Sequence, residues 1–152
     1  VASVVGLLAA EIFGYQDRRT QKYAHDLGVA FQLTNIIRDV GEDARMGRIY
    51  LPIDELQRFE VTAADILNAR HGDKFQRLMA FQVERAESYY AQAIDALPAS
   101  DRRTQRPGLV MAAIYRTLLD EIKRDGYQVL TQRTSLTPIR KLWIAWRTWV
   151  RG

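Results

Sequence analysis

Apolar side chains return at helical spacing through most of this chain, and that period points away from any sheet-based fold. The clearest stretch runs from Asp73 to Ala96. There Phe75, Leu78, Met79, Gln82, Val83, Ala86, Tyr89, Tyr90 and Ala93 mark one inward face. The same reading predicts helices over Val1 to Tyr15, Arg18 to Glu42, Ile53 to Arg58 and Gly108 to Leu130. Thr137-Pro138 is a cap and first turn for a last helix, and Thr62-Ala63-Ala64-Asp65 resembles a capping box. Pro98 to Pro107 reads as a polar interhelical loop. Strand alternation is hard to find, and no glycine-rich phosphate loop is present. The expectation is one all-α domain over residues 1–152.

At 152 residues and 47% hydrophobic content, the chain can bury a real core. It has no cysteine, which excludes disulfides and thiolate metal sites. No apolar run has the length needed to cross a bilayer. Residue 1 is a valine and the opening ten residues already read as helix, so the chain is expected to start inside an element of a longer protein. The net charge of +4 is unevenly placed. From Arg133 onward there are five basic residues and no acid, and the remainder holds 17 basic against 18 acidic residues. The basicity therefore belongs to the tail and is expected to say little about the site. No basic stripe with interleaved aromatics runs through the body, so nucleic acid is not an expected partner.

The run Gln32-Leu33-Thr34-Asn35-Ile36-Ile37-Arg38-Asp39-Val40-Gly41-Glu42-Asp43 carries the chemistry. At about 100° per residue, with Gln32 at zero, Asn35 falls near 300°, Asp39 near 340° and Asp43 near 20°. Val29, Leu33, Ile37 and Val40 take a different, apolar side. A solvated acidic face is the bland reading of a lone D-x-x-x-D. Here two amides share the edge, Arg38 stands beside the acids, and Arg45-Met46-Gly47-Arg48-Ile49-Tyr50-Leu51-Pro52 follows at once. Magnesium favours such oxygen donors and commonly takes one or two carboxylates plus substrate phosphates, and guanidiniums suit phosphate. His25 and His71 lack partners at metal-binding spacing, and Ser88 and Ser100 have no placed histidine for a triad.

In these residues the chain resembles the C-terminal half of a squalene/phytoene synthase, a family that joins two prenyl diphosphates head to head. The strongest signatures are Gln32 to Asp43 and Gly47 to Pro52. Val1 to Gly6 is similar to the family's cavity helix, and Ala113-Ile114-Tyr115 through Leu119-Asp120-Glu121-Ile122 to its late helix. Within the family the resemblance is greatest to bacterial presqualene diphosphate/squalene synthases of hopanoid pathways. It implies an isoprenoid-synthase-type helical bundle, of which this is the C-terminal part. The family carries two aspartate-rich motifs and this sequence has one, Asp39/Asp43.

By that resemblance Asn35, Asp39 and Asp43 hold Mg²⁺, and Arg38 and Arg48 help hold diphosphate. Gln32 lines the reaction chamber, while Val1, Val5 and Gly6 form a tunnel wall, with ordinary helix packing through small residues as the alternative. Tyr50 and Tyr115 orient diphosphate or assist proton movement; for both, ordinary packing is the competing reading. The implied reaction is the joining of two farnesyl diphosphates to presqualene diphosphate or squalene, with NADPH needed only for squalene. Alternatives are phytoene synthesis from geranylgeranyl diphosphate, or a non-catalytic prenyl-lipid-binding helical domain.

The last helix has its own pattern. With Trp143 at zero, Ile139, Leu142, Trp146, Trp149 and Val150 fall between about 240° and 360°. Arg140, Lys141, Arg147 and Arg151 lie between about 40° and 160°, interrupted by Ile144. The expectation placed first is that the tryptophan stripe docks on the bundle and the arginines are solvated. Peripheral contact with an anionic membrane is the alternative. A cytoplasmic protein, touching the inner face of a membrane in that second case, is the expected location.

Overall fold

The computed structural model describes residues 2–151, with side chains from Val4 onward. Eight α-helices and one short 3₁₀ turn follow in order among the described residues, with no strand. They are α1 (Ala2–Phe13), α2 (Arg19–Arg38), α3 (Val40–Arg45), α4 (Ile53–Arg58), α5 (Ala63–Leu67), α6 (Asp73–Ala96), α7 (Arg106–Arg124) and α8 (Pro138–Arg151). None is long and apolar enough to cross a membrane.

α2 is the axis of the bundle, packing against α1 on one side and α6 on the other. That central place explains why its buried residues, from Thr20 and Tyr23 to Thr34 and Ile37, are spread around the helix instead of forming one stripe. α1 comes close because Gly6 lacks a side chain. A Cβ there would lie 2.6 Å from the Ala24 carbonyl oxygen and 3.5 Å from Gly28 Cα. The inward face of α6 is the one its period predicts: Phe75, Leu78, Met79, Gln82, Val83, Ala86, Tyr90 and Ala93 are buried, with Tyr89 partly so. Buried Gln82 is satisfied by donating to Glu55 Oε2 at 2.7 Å, and Glu55 also pairs with Arg85, tying α4 to α6.

The turn between α1 and α2 is held by the segment before α7. Buried Asp101 accepts from the Gln16 and Asp17 amides at 2.8 and 2.9 Å and from the Thr20 hydroxyl at 2.7 Å. Burial pushes its carboxyl upward, but these three bonds outweigh that and hold it below the ordinary 3.8. Gln105 Nε2 donates to the Ala10 and Gly14 carbonyls, closing the end of α1.

Three sequence expectations change here. The helix expected from Arg18 to Glu42 is interrupted at Asp39 (φ −100°, ψ 10°) and resumes to Arg45. The cause is tertiary: the Gly41 amide donates to the Val129 carbonyl at 3.1 Å, outside the helical ladder. The helix expected to reach Leu130 stops at Arg124. Gly126 and Tyr127 take positive φ, and their amides bond back to Lys123 and Ile122, which is a Schellman ending. The strap that follows, residues 125–137, is thereby turned back across α3. Lastly, α8 lies with its tryptophans outward. Trp143, Trp146 and Trp149 are 56%, 59% and 50% exposed, while Ile144, on the expected basic side, is the residue that docks. Burying a stripe that includes Ile144 leaves the opposite, tryptophan-bearing arc facing away from α7.

Gly41→Ala is expected to destabilise the chain by about 1–3 kcal/mol in urea denaturation. Its Cβ would lie 2.4–2.8 Å from backbone atoms of Val129 and Leu130, so the strap itself must shift. Asp101→Asn is expected to lower the melting temperature at neutral pH. Because the folded carboxyl lies below 3.8, its contribution is present above that pH and fades as pH falls through the folded value. The gap between wild type and variant should therefore narrow in scans below about pH 3.8.

Candidate active site

The end of α2 places Arg38 and Asp39 side by side. Arg38 Nε and Nη2 donate to the two Asp39 oxygens at 2.8 and 3.0 Å, a bidentate pair only about one-fifth exposed. The strap adds Arg133, whose Nε donates to Asp39 Oδ1 at 3.2 Å and lies 3.8 Å from Glu42. Arg38 is the main reason the Asp39 carboxyl sits below its ordinary value, offset in part by burial and helped by Arg133. The opposite holds one turn on. Burial, then the charges of Asp39 and Glu42, push the Asp43 carboxyl up, with Arg48 pulling it back. Two carboxylates on one edge thus differ in environment: one is neutralised, the other crowded by like charge.

Asn35 completes this edge. Its Oδ1 is buried and accepts no hydrogen bond from any described residue. An unsatisfied buried amide oxygen one turn from Asp39 and two from Asp43 is a donor set that fits a hard divalent cation using few protein ligands. No three His, Cys, Asp or Glu side chains gather as a metal cage among the described residues.

A cavity of about 290 Å³ opens beside Arg38, lined by Arg38, Tyr115, Arg133, Thr134, Ser135 and Lys141 on an apolar wall of Met111, Ile114, Leu118 and Leu136. Tyr115 reaches it from α7. Its ring packs on Phe31 with centroids 5.1 Å apart, and its hydroxyl adds a smaller contribution to the upward shift that Asp39 chiefly imposes on the Arg38 guanidinium. Beneath them Tyr90 shares a 2.8 Å hydrogen bond with Thr34. Tyr50 is elsewhere. It is 54% exposed and lines a much smaller groove with Asp43 and Arg48. The two tyrosines paired by sequence reading thus stand in different cavities.

Gln32 is exposed, and Arg48 is exposed beside Asp43. Val5 is 59% exposed on an outward apolar arc of α1 with Val4 and Leu8. Gly6 faces the other way, into the α1–α2 contact, where the lack of a side chain lets the two helices pack closely. Val1 lies outside the described residues. Sequence reading missed Arg133 and Lys141, because the basic tail was set apart from the site. The signal was present in the Asp125-Gly126 helix stop, which folds that tail back.

Residues 1–140 match the family model described as squalene/phytoene synthase. A phytoene synthase of Arthrospira platensis is 39% identical over 155 residues, covering 93% of this chain and 50% of the relative. A 15-cis-phytoene synthase of Synechocystis is 35% identical over 164 residues, covering 100% and 49%. Among solved structures, a dehydrosqualene synthase in complex with ligand superposes with a TM-score of 0.82 at 27% identity, over 99% of this chain and 53% of that one. The squalene synthase HpnC of Alicyclobacillus acidocaldarius gives 0.71 at 29%, over 83% and 48%. The all-α bundle of these synthases is the fold class the sequence implies. The chain spans about half the length of the curated relatives it matches.

The unequal environments of the two aspartates predict opposite effects on stability. Asp39→Asn should lower the melting temperature, since it breaks the Arg38 and Arg133 pairs. Asp43→Asn should raise it by about 1–2 °C, since it removes a crowded charge. Differential scanning calorimetry at neutral pH checks both signs.

Proposed function

The chain belongs to the squalene/phytoene synthase family, and from that premise we propose that it serves the head-to-head joining of two prenyl diphosphates. The observation that carries the reading is the cavity where Arg38, Arg133 and Lys141 share a boundary with a hydrocarbon wall. Cationic and apolar surfaces in one cavity suit a diphosphate with an isoprenoid tail.

The chemical step breaks an allylic C–O bond, and the electron pair leaves with the diphosphate oxygen. Negative charge grows there, so preplaced guanidiniums favour the transition state over the ground state. Arg38 and Arg133 take that role, with Arg48 contributing from beyond Asp43. Diphosphate and the Asp39 carboxylate are rival acceptors for the same two guanidiniums. With these turned to the substrate, Asp39 would be free to join Asn35 Oδ1 and Asp43 as the oxygen donors that would hold Mg²⁺. When bound by them, that cation would supply further positive charge to the leaving group.

The allylic cation bonds to the C2–C3 double bond of the second diphosphate, and loss of one proton closes a cyclopropane. Tyr115, beside Arg38, orients the diphosphate and offers its hydroxyl for that proton. Its ring and Phe31 present aromatic faces to passing positive charge. The wall role of Val5 and the chamber role of Gln32 rest on the family resemblance alone, since both side chains are exposed and neither lines the Arg38 cavity. Tyr50 is assigned to the Arg48 side, in contact with the diphosphate alone.

The phytoene synthases among the relatives favour geranylgeranyl diphosphate as substrate, with no need of NADPH. The dehydrosqualene and squalene synthase neighbours support farnesyl diphosphate as the second reading, with NADPH required if squalene is the product. Labelled C20 and C15 diphosphates, each offered with Mg²⁺ to the full-length polypeptide, distinguish them by product. Arg133→Gln is expected to lower kcat/KM by about 100-fold while the protein stays folded. Binding of both substrates without turnover would favour a non-catalytic lipid-binding domain instead.

A further inference from the structure

We infer that the outer face of α8 docks on an anionic lipid bilayer, with its tryptophans in the interface and an arginine groove beneath them on lipid phosphates. The helix is turned for this. Ile144, near 100° on the wheel, is buried, and Thr148, near 140°, is partly so. The arc holding Trp143, Trp146 and Trp149 is centred near 300°, almost opposite. Its residues are each at least half exposed, Leu142 and Ile139 reaching 70% and 81%. Trp143 and Trp146 stack at 5.4 Å, and the Arg106 guanidinium sits 5.3 Å over the Trp149 ring. This makes a preformed aromatic surface on a helix too polar to cross a membrane.

Charge selects the partner. No acidic residue occurs from Arg133 onward. Where α8 crosses α7, a cavity of about 230 Å³ is lined by Arg102, Arg116, Arg147 and Arg151 over Leu109 and Ala112. None of these four arginines ion-pairs with a carboxylate among the described residues, whereas Arg140 is taken by Glu121 at 2.8 Å. Four guanidiniums without carboxylate partners, on the flank of the helix whose outer arc carries the indoles, fit the phosphates of an anionic leaflet. This surface shares no residue with the Arg38–Asp39 site.

All three tryptophans of the chain lie in α8, so intrinsic fluorescence reports on this face alone. On titrating the full chain with vesicles of phosphatidylglycerol and phosphatidylcholine, the emission should shift to the blue and the protein should co-sediment, both reversed by high salt. Arg147→Gln with Arg151→Gln should weaken vesicle binding by about 30-fold. Trp143→Ser with Trp146→Ser should abolish it, with helical content and melting temperature unchanged in both variants. Inorganic phosphate alone should leave the emission where it is. The inference is overturned by equal binding to pure phosphatidylcholine, by no binding to either vesicle, or by phosphate binding at these arginines without vesicle binding. A blue shift that follows protein concentration in the absence of vesicles would also overturn it, assigning the face to a second copy of the chain.

Discussion

The seating of the Val129–Leu130 backbone on Gly41 is the contact from which the site is built. A hydrogen at that Cα, in place of a side chain, lets two carbonyls come within reach and lets one take the Gly41 amide. The diverted bond breaks the long helix at Asp39, and the anchored strap carries Arg133 to the same carboxylate. Helix end, acid and second arginine are thus positioned by one close approach. Cα-to-carbonyl packing of this kind contributes little buried area, yet it fixes geometry more tightly than a flexible side chain would.

Much of the fold was legible because it rests on local patterns. The α6 face follows from its period. The Thr62/Asp65 capping box forms as read, and both α4 and α6 have the expected limits. What could not be read depended on distant residues. The break at Asp39 needs Val129, and nothing near Asp39 in sequence announces it. The Arg124 stop was announced by Asp125-Gly126 but hidden by the apolar residues Val129 and Leu130, which continue a helical period while packing as a strap.

The α8 reversal has a different origin. A helix with both an aromatic and a basic side offers two faces to bury, and period alone cannot choose between them. Ile144, which interrupts the basic side, was the deciding residue. Similarly, the polar edge of α2 identified Asn35, Asp39 and Asp43 as a group, but their unequal states come from neighbours. Arg133 is 94 residues from Asp39. Its arrival turns a simple acidic edge into a balance in which carboxylate and substrate anion compete for the same guanidiniums.

That balance has a direct thermodynamic consequence. Calorimetric titration of inorganic pyrophosphate into wild type and Asp39→Asn, with and without Mg²⁺, isolates it. Without the cation, the asparagine variant should bind pyrophosphate more tightly than wild type, since a rival for Arg38 and Arg133 is gone. With Mg²⁺ it should bind more weakly, since an oxygen donor is gone. An effect of the same sign in both conditions would contradict the exchange of partners at Asp39.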